Sequence, residues 1–446
     1  MGFVLKGCAV MQKKSSYRWI VMTILFILYT VANADRANLG FALPYIRQEF
    51  HMSNTEAGAI ISFFFLAYAI FQIPSGFLIK KFGNKVMFCL GMLITSICTG
   101  LMAIAPNALA FKLCRLGVGI GEAPVAISSS GTINNWFPPK EKGTATGIFL
   151  AGSKMGPLVV PFICAWIIQM WTWHMIFIGF MIPGIMLAVA WWFLVANRPR
   201  ESRFCNQAEV EYVESGGEEI SKSAQSPQRK YNMKWLDKII RAKKVERLAS
   251  PKQIFTSTDM WAIAIGYFFV VGLSSVFMSW LPSYLVNVKH FAIMNTAFVS
   301  AAPFAGTVVG NFFGGWASDH LLGKRRKPMM MITALSTSVF MYGMLSAPEE
   351  PVLLAILLFC AGVFLAFGYS MYMAYGMGRA DQKNYPVAFS LVNTGGQIGG
   401  AVMPLIVGMI LDVFNWDAVW LTIAIGSLIC FAVICTATEP VDDPLI

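Results

Sequence analysis

Long apolar segments recur along the whole chain, and they constrain its fold more than any other feature of the sequence. A helix needs about 20 apolar residues to cross a bilayer. Twelve segments reach or approach this length: 19–44, 56–79, 86–105, 108–134, 143–169, 174–196, 257–286, 294–318, 328–347, 351–377, 385–412 and 417–437. We therefore predict an all-α membrane protein of 12 transmembrane helices. Six would form an N-terminal bundle (1–196) and six a C-terminal bundle (257–446), joined by a polar linker at 197–256.

The low content of charged residues excludes several other classes of protein. Charged residues make up 13% of the chain and hydrophobic residues 57%, whereas soluble domains carry about 25% charged residues. This composition excludes an ordinary soluble enzyme and a disordered chain. The 9 cysteines lack CxxC spacing, and no HExxH, Walker A or GxSxG motif occurs. The sequence therefore predicts no metal site, no cofactor and no enzymatic activity.

Basic residues are concentrated in alternate loops, and this bias predicts the orientation. Lysine and arginine are enriched on the cytoplasmic side of membrane proteins. On one side lie Lys13, Lys14, Arg18, Lys80, Lys81, Lys85, Lys140, Lys142, Lys324, Arg325, Arg326, Lys327, Arg379 and Lys383, together with the linker. Both termini are thus expected in the cytoplasm. The net charge of +11 is attributed to these loops, and no nucleic-acid partner is predicted.

Residues 233–248 of the linker combine basic side chains with a few large apolar ones. A helix over this range would place Trp235, Ile239 and Ile240 on one face. Such an amphipathic helix is typical of segments that lie on the anionic inner leaflet. A regulatory role is the less favoured alternative.

Five ionisable residues fall inside predicted spans, and all five belong to the first half of the chain. They are Asp35, Arg36, Arg115, Glu122 and Lys154. An ionisable group at the bilayer centre costs roughly 3 kcal/mol or more, so it is retained where it faces a cavity or a partner. The second half has none at comparable depth.

The chemistry of these five residues suits an anion carrier coupled to protons. The guanidinium of Arg36 can bind a carboxylate through two hydrogen bonds and stays charged. Buried carboxylates such as Asp35 and Glu122 can exchange protons near neutral pH. Arg115 lies two helical turns before Glu122, on the same face, and is grouped with the coupling residues. The alternative is that these charges only pair with one another and fix helix packing.

Neutral polar residues complete the predicted substrate site. Tyr68 and Gln72 are four residues apart and share a face of span 2. The further candidates are Lys154, Trp280, Ser370, Asn393 and Gln397. Hydroxyls and amides around a cation suit a hydroxylated carboxylate. Hydrogen bonding between helices is about as good an explanation for any one of them.

Several motifs resemble those of a known family. The loops Gly76–Gly83 and Gly315–Gly323 resemble the G-x-x-x-D-R-x-G-R-K pattern of the major facilitator superfamily, although Lys80 replaces the first aspartate. The motifs that carry the closer resemblance are Asp35-Arg36-Ala-Asn-Leu, Ala67-Tyr68-Ala-Ile-Phe-Gln72-Ile-Pro74, Arg115-Leu-Gly-Val-Gly-Ile-Gly-Glu122-Ala-Pro124, Asn135-Trp136-Phe137-Pro138 and Trp280-Leu281-Pro282-x-Tyr284. Together they resemble the anion:cation symporter family, in particular its bacterial sugar-acid branch.

The resemblance implies proton-coupled uptake of a small organic anion by alternating access. We further expect a monomer in the bacterial inner membrane, whose partners are the anion, protons and membrane lipid. Arg36 would grip the carboxylate, Asp35 and Glu122 would carry the coupling, and Tyr68 and Asn393 would touch the substrate, with Ser370 in the matching part of span 10. Two departures are Asn33, where several members have tyrosine, and Lys154, where several have glutamine or asparagine. A second cation suggests a dicarboxylate or a differently shaped anion.

Three alternatives remain at the level of sequence. One is a facilitator-type efflux or uniport carrier, although a cationic cavity argues against cationic drugs. Another is a membrane sensor that retains a transporter fold and signals through the linker. An enzyme is least supported, because no nucleophile–base pair or metal cluster occurs at membrane depth.

Overall fold

The structure, a computed structural model, describes residues 15–215, 234–323, 325–381 and 384–441. Lys13, Lys14, Lys324 and Lys383, used above to predict the orientation, lie outside the described residues.

The first half of the chain consists of six long helices. These are α1 (Tyr17–Glu49), α2 (Asn54–Phe82), α3 (Asn84–Met102), α4 (Ala108–Trp136), α5 (Pro139–Met170) and α6 (His174–Leu194). Polar caps begin several of them, as where Ser53 and Glu56 form a reciprocal capping box at the start of α2. Pro138 and Pro139 lie between α4 and α5, and Pro139 begins α5, because the fixed φ of proline suits the first position of a helix.

The linker contains short elements, and the second half repeats the pattern of long helices. The linker carries a 3₁₀ turn at Pro199–Glu201, α7 (Gln207–Glu214), α8 (Lys234–Ile239), β1 (Ala242–Lys243) and α9 (Pro251–Thr256). The second half comprises α10 (Thr258–Ser279), α11 (Leu281–Asn287), α12 (Ile293–His320), α13 (Lys327–Gly343), a 3₁₀ turn at Met344–Ser346, α14 (Pro351–Phe367), α15 (Tyr369–Arg379), α16 (Tyr385–Val413), α17 (Trp416–Thr436) and β2 (Glu439–Pro440). Two predicted spans are thus broken, at Trp280 and at Gly368.

By length and composition, 11 helices in the described part of the chain could cross a membrane. They correspond to every predicted span except the fourth. That span is the 29-residue helix α4, which carries Arg115 and Glu122 together with many small polar residues and is therefore less apolar than its neighbours.

The two halves meet along α2 with α16 and along α5 with α12. Contact is close at the end where α1 finishes and α2 begins, which we call the far end. A Cβ on Gly40 would lie 2.1 Å from the Met278 carbonyl oxygen, and one on Gly408 would lie 2.3 Å from that of Asn54. At the opposite, linker-side end, a Cβ on Gly76 would meet no atom of the residues that the structure describes within 4 Å. These contacts indicate two bundles closed at the far end.

Ion pairs join the described parts of the linker to both bundles. Glu209 accepts a hydrogen bond from Arg18 at 2.8 Å, and Asp237 forms a buried salt bridge with Arg325. Burial opposes ionisation of Glu209, but hydrogen bonds from Ser15 and Arg18 lower its pKa below the ordinary value. Each end of the linker is thus attached to a different bundle.

The helix predicted at 233–248 is shorter than expected, and Met233 lies outside the described residues. The helix ends at Ile239, after which β1 pairs in parallel with β2 near the end of the chain. Trp235 and Ile239 are exposed, but Ile240 is buried. Ile240 therefore does not share a surface face with the other two, because the chain leaves the helix to form the strand pair.

Candidate functional site

The side chain of Arg36, on α1, forms a salt bridge with the carboxylate of Glu122, on α4. Its Nε and Nη2 atoms donate to the same oxygen, Glu122 Oε2, at 2.7 and 2.6 Å. Glu122 is buried, whereas the Arg36 side chain keeps 19% of its surface exposed. The second oxygen, Glu122 Oε1, has no hydrogen-bond partner among the described residues. The predicted substrate cation and a predicted proton carrier thus form one contact.

Asp35 points away from Arg36, as neighbouring residues on a helix must. Its side chain is fully buried, and Oδ1 accepts a hydrogen bond from Asn38 at 3.1 Å. Its Oδ2 atom finds no partner within the described part of the protein. Arg115 is also buried and donates to the backbone oxygen of Asp35 at 3.2 Å. The two predicted coupling carboxylates therefore occupy neighbouring but separate environments.

Aromatic rings surround these charges. The centroid of the Phe64 ring lies 5.1 Å from the Arg36 guanidinium and 5.0 Å from that of Arg115, so the ring contacts both cations. Tyr68, one turn further along α2, lies 4.9 Å from Arg36. Such cation–π contacts contribute roughly 0.5–2 kcal/mol each where water is scarce. They stabilise positive charge in a region where hydration is lost.

Lys154 contacts an aromatic ring of the opposite bundle and not a carboxylate of the described residues. Its ammonium group is 4.5 Å from the ring centroid of Tyr369. Lys154 belongs to α5 and Tyr369 to α15, so the contact joins the two bundles. No carboxylate among the described residues lies within salt-bridge distance of Lys154.

The predicted amides also meet across the two bundles. Asn393 donates to the side-chain oxygen of Gln72 at 3.1 Å, joining α16 to α2. Gln397 lies one turn beyond Asn393 and is 3.5 Å from it, while its own oxygen has no partner in the described structure. These three residues present hydrogen-bonding groups where the halves are in contact.

Two other predicted residues, Trp280 and Ser370, lie at breaks between helices of the second half. Trp280 is fully buried at the break between α10 and α11, where its indole N–H donates to the Pro404 carbonyl at 3.2 Å. Ser370 is exposed and follows the break at Gly368. The backbone N–H of Gly368 donates to Thr333 at 2.7 Å. This bond fixes the start of α15 and thereby the position of Tyr369.

Three aromatic residues of the site were missed by sequence reasoning. Phe64 is described above. Tyr29 lies seven residues before Arg36 on α1 and stacks on Phe149 of α5 with ring centroids 4.0 Å apart, and Tyr267 packs edge-on against Tyr369 with ring centroids 5.4 Å apart. For Phe64, helical spacing could have provided the signal, because Phe64 and Tyr68 are four residues apart and share a face of α2.

The helical fold and the buried charges are those of a membrane transporter, and the sequence comparison agrees. The chain belongs to the Major Facilitator Superfamily, whose family model matches residues 25–402 and again 294–445. Its relatives include the probable galactarate/D-glucarate transporter GudP of Bacillus subtilis, 26% identical over 90% of this chain and 87% of that protein. The D-galactonate transporter of Escherichia coli is 25% identical over 94% of both chains. The chain is accordingly a multi-pass membrane transporter of this superfamily, and not an enzyme.

Solved structures support the fold. A bacterial homologue of the human lysosomal transporter Spinster, in an inward-facing and occupied conformation, matches with a TM-score of 0.73. The match covers 95% of this chain and 97% of that one at 16% sequence identity. The nucleoside transporter NupG matches with a TM-score of 0.67 at 13% identity, over 93% and 98% of the two chains.

Proposed function

We propose that this protein takes up a small organic anion, a sugar acid or related carboxylate, together with protons. The observation that carries the proposal is the contact between Arg36 and Glu122. Arg36 is the side chain suited to a substrate carboxylate, and Glu122 is the carboxylate that occupies it here. A substrate and an ionised Glu122 thus compete for one guanidinium.

Protonation of Glu122 would remove this competition. A neutral carboxyl group loses most of its attraction for the guanidinium, so Arg36 becomes available to the anion. Because binding free energies are reciprocal, an anion that takes Arg36 also favours protonation of Glu122. The proton and the anion therefore promote each other's binding, which is the requirement for symport.

The charges of the whole site favour the same partner. Arg36, Arg115 and Lys154 supply three positive charges, and ionised Asp35 and Glu122 supply two negative ones. The fully ionised site thus carries one net positive charge, and each bound proton adds another. A bound anion offsets this positive charge. The free-energy cost of exposing the site to a low-dielectric environment during the conformational change is therefore lower when the anion is bound.

The relatives and the loop charges support the cellular setting. The named relatives are bacterial sugar-acid transporters, so we place this protein in a bacterial inner membrane, as a monomer. The basic loops support a cytoplasmic location for both termini and the linker. Residues 1–196 and 257–446 would rock against each other, with Trp235 and Ile239 of the linker at the inner leaflet.

Purified protein in liposomes tests the proposal. An acid-outside pH gradient is imposed, and uptake of a panel of sugar acids, aromatic acids and dicarboxylates is measured. At least one anion should accumulate in a gradient-dependent manner, and Arg36→Ala should abolish its uptake. Arg200→Ala, at an exposed arginine of the linker, is the matched control. If no anion accumulates, or if Arg36→Ala transports normally, the proposed function is wrong. Equilibration without accumulation would indicate a uniporter.

A further inference from the structure

Lys154 is a cation that neither the proposed carboxylate contact nor the coupling residues require. A charged lysine within a membrane-spanning helix raises the free energy of the folded protein in the membrane. The partner observed for its ammonium group is the ring of Tyr369, which a neutral residue could also pack against. Its side chain is half-buried and lies at the junction of the two bundles. A positive charge held there fits a negative group of the substrate.

The packing of α5 fixes the direction in which Lys154 points. Gly152 and Gly156 lie against α1, where a Cβ would come within 3.0 Å of the Phe26 oxygen and 2.7 Å of the Thr30 oxygen, respectively. Lys154 is two residues from each glycine, which is a rotation of about 200° on a helix. It therefore points away from α1 and towards the C-terminal bundle, where Tyr369 lies.

The same contacts give the spacing between Lys154 and Arg36. Gly152 packs near residues 26–30 of α1, and Gly156 packs near residues 30–34. The two helices thus run parallel, and Lys154 is level with residue 30. Arg36 lies six residues further along, which corresponds to about 9 Å along the helix axis at 1.5 Å per residue. The two side chains therefore start from different levels of the N-terminal bundle.

We infer that Lys154 and Tyr369 form a second anion subsite, and that the substrate is a dianion with an acidic group at each end. One group binds Arg36 and the other binds Lys154. This inference depends on the proposed function, since it specifies the substrate of the same site. Because Lys154 belongs to one bundle and Tyr369 to the other, the second acidic group binds where the bundles meet.

Three pairs of probes that differ in one acidic group test the inference: galactarate with galactonate, succinate with butyrate, and terephthalate with benzoate. Binding to the purified full-length protein is measured by calorimetry at pH 7.5. In at least one pair, the diacid should bind at least tenfold more tightly than the monoacid. Lys154→Gln should weaken binding of that diacid at least tenfold and change binding of the monoacid less than twofold.

Two further variants separate charge from packing. Lys154→Arg keeps the charge and should keep the preference for the diacid. Lys140→Gln removes an exposed lysine at the start of α5 and should change neither affinity. Loss of the preference in Lys154→Arg would overturn the inference, because charge would then not be its cause.

Other results would also overturn it. If the wild type binds the diacid and the monoacid of every pair equally, the second subsite does not exist, although the proposed function stands. If Lys154→Gln weakens both members of a pair equally, Lys154 acts on the site as a whole. If the wild type neither binds nor transports any organic anion, the proposed function fails, and this inference fails with it.

Discussion

Replacing Glu122 with glutamine separates anion binding from proton coupling. Glutamine keeps the shape of the side chain but removes the negative charge that holds Arg36 at 2.6 and 2.7 Å. Arg36 should then be available to the anion at every pH. We expect Glu122→Gln to exchange labelled for unlabelled anion across the membrane at a rate close to that of the wild type, while gradient-driven accumulation is lost.

The magnitude follows from the free energy of one proton. A gradient of one pH unit supplies about 1.4 kcal/mol per coupled proton, which is a tenfold accumulation ratio. The variant should lose this factor for the proton that Glu122 carries. Where Glu122 ionises, the anion affinity of the wild type should fall by up to tenfold per pH unit, whereas that of the variant should stay constant.

The variant should also be less stable without substrate. Breaking a buried ion pair costs about 3–5 kcal/mol. Because Arg36 keeps 19% exposure and two aromatic neighbours, we expect the lower end of this range. Anion at 100 times its Kd should raise the free energy of unfolding by about 2.7 kcal/mol, and a thermal-unfolding series can measure this increase.

Glu349→Gln is the matched control, because it makes the same change at an exposed loop position. It should behave as the wild type in accumulation, exchange and unfolding. If Glu122→Gln accumulates the anion as well as the wild type, Glu122 carries no coupled proton. If it loses exchange and accumulation together, Glu122 serves binding or folding, and the coupling argument is refuted.

Three further predictions address the site and the fold. Arg36→Lys keeps the charge but loses the planar fork, so anion uptake should fall at least tenfold in liposomes; uptake near the wild-type rate would show that charge alone suffices. Gly40→Ala places a Cβ 2.1 Å from the Met278 oxygen and should lower the unfolding temperature by several degrees. Gly315→Ala, whose Cβ would meet no atom of the described residues within 4 Å, should not; equal effects would contradict the close contact. Burial raises the pKa of Glu439 from the ordinary 4.5 to about 7, so its ionisation costs stability: the free energy of unfolding should fall by up to about 3 kcal/mol between pH 4.5 and 7, then level off. Glu439→Gln should flatten this pH dependence in a thermal-unfolding series, and an unchanged slope would assign it to another group.

Local features of the sequence determined the helices and the inventory of charges. The length of an apolar run can be read from the sequence without knowledge of any tertiary contact. Eleven of the twelve predicted spans accordingly reappear, within the described residues, as helices long and apolar enough to cross a membrane. The fourth is a helix at the predicted place, but its charges make it less apolar. The cost of burying charge also identified Asp35, Arg36, Glu122 and Lys154 without reference to any contact.

Only the tertiary structure decided which of these residues meet. Arg36 and Glu122 are 86 residues apart, and Gln72 and Asn393 are 321 apart. Helical periodicity tells which residues share a face, but it cannot tell which face of which helix lies opposite. That depends on close contacts such as those of Gly152 and Gly156 with α1, which turn Lys154 towards Tyr369. The break at Trp280 and the strand pair that ends the linker helix depend likewise on partners far away in the chain.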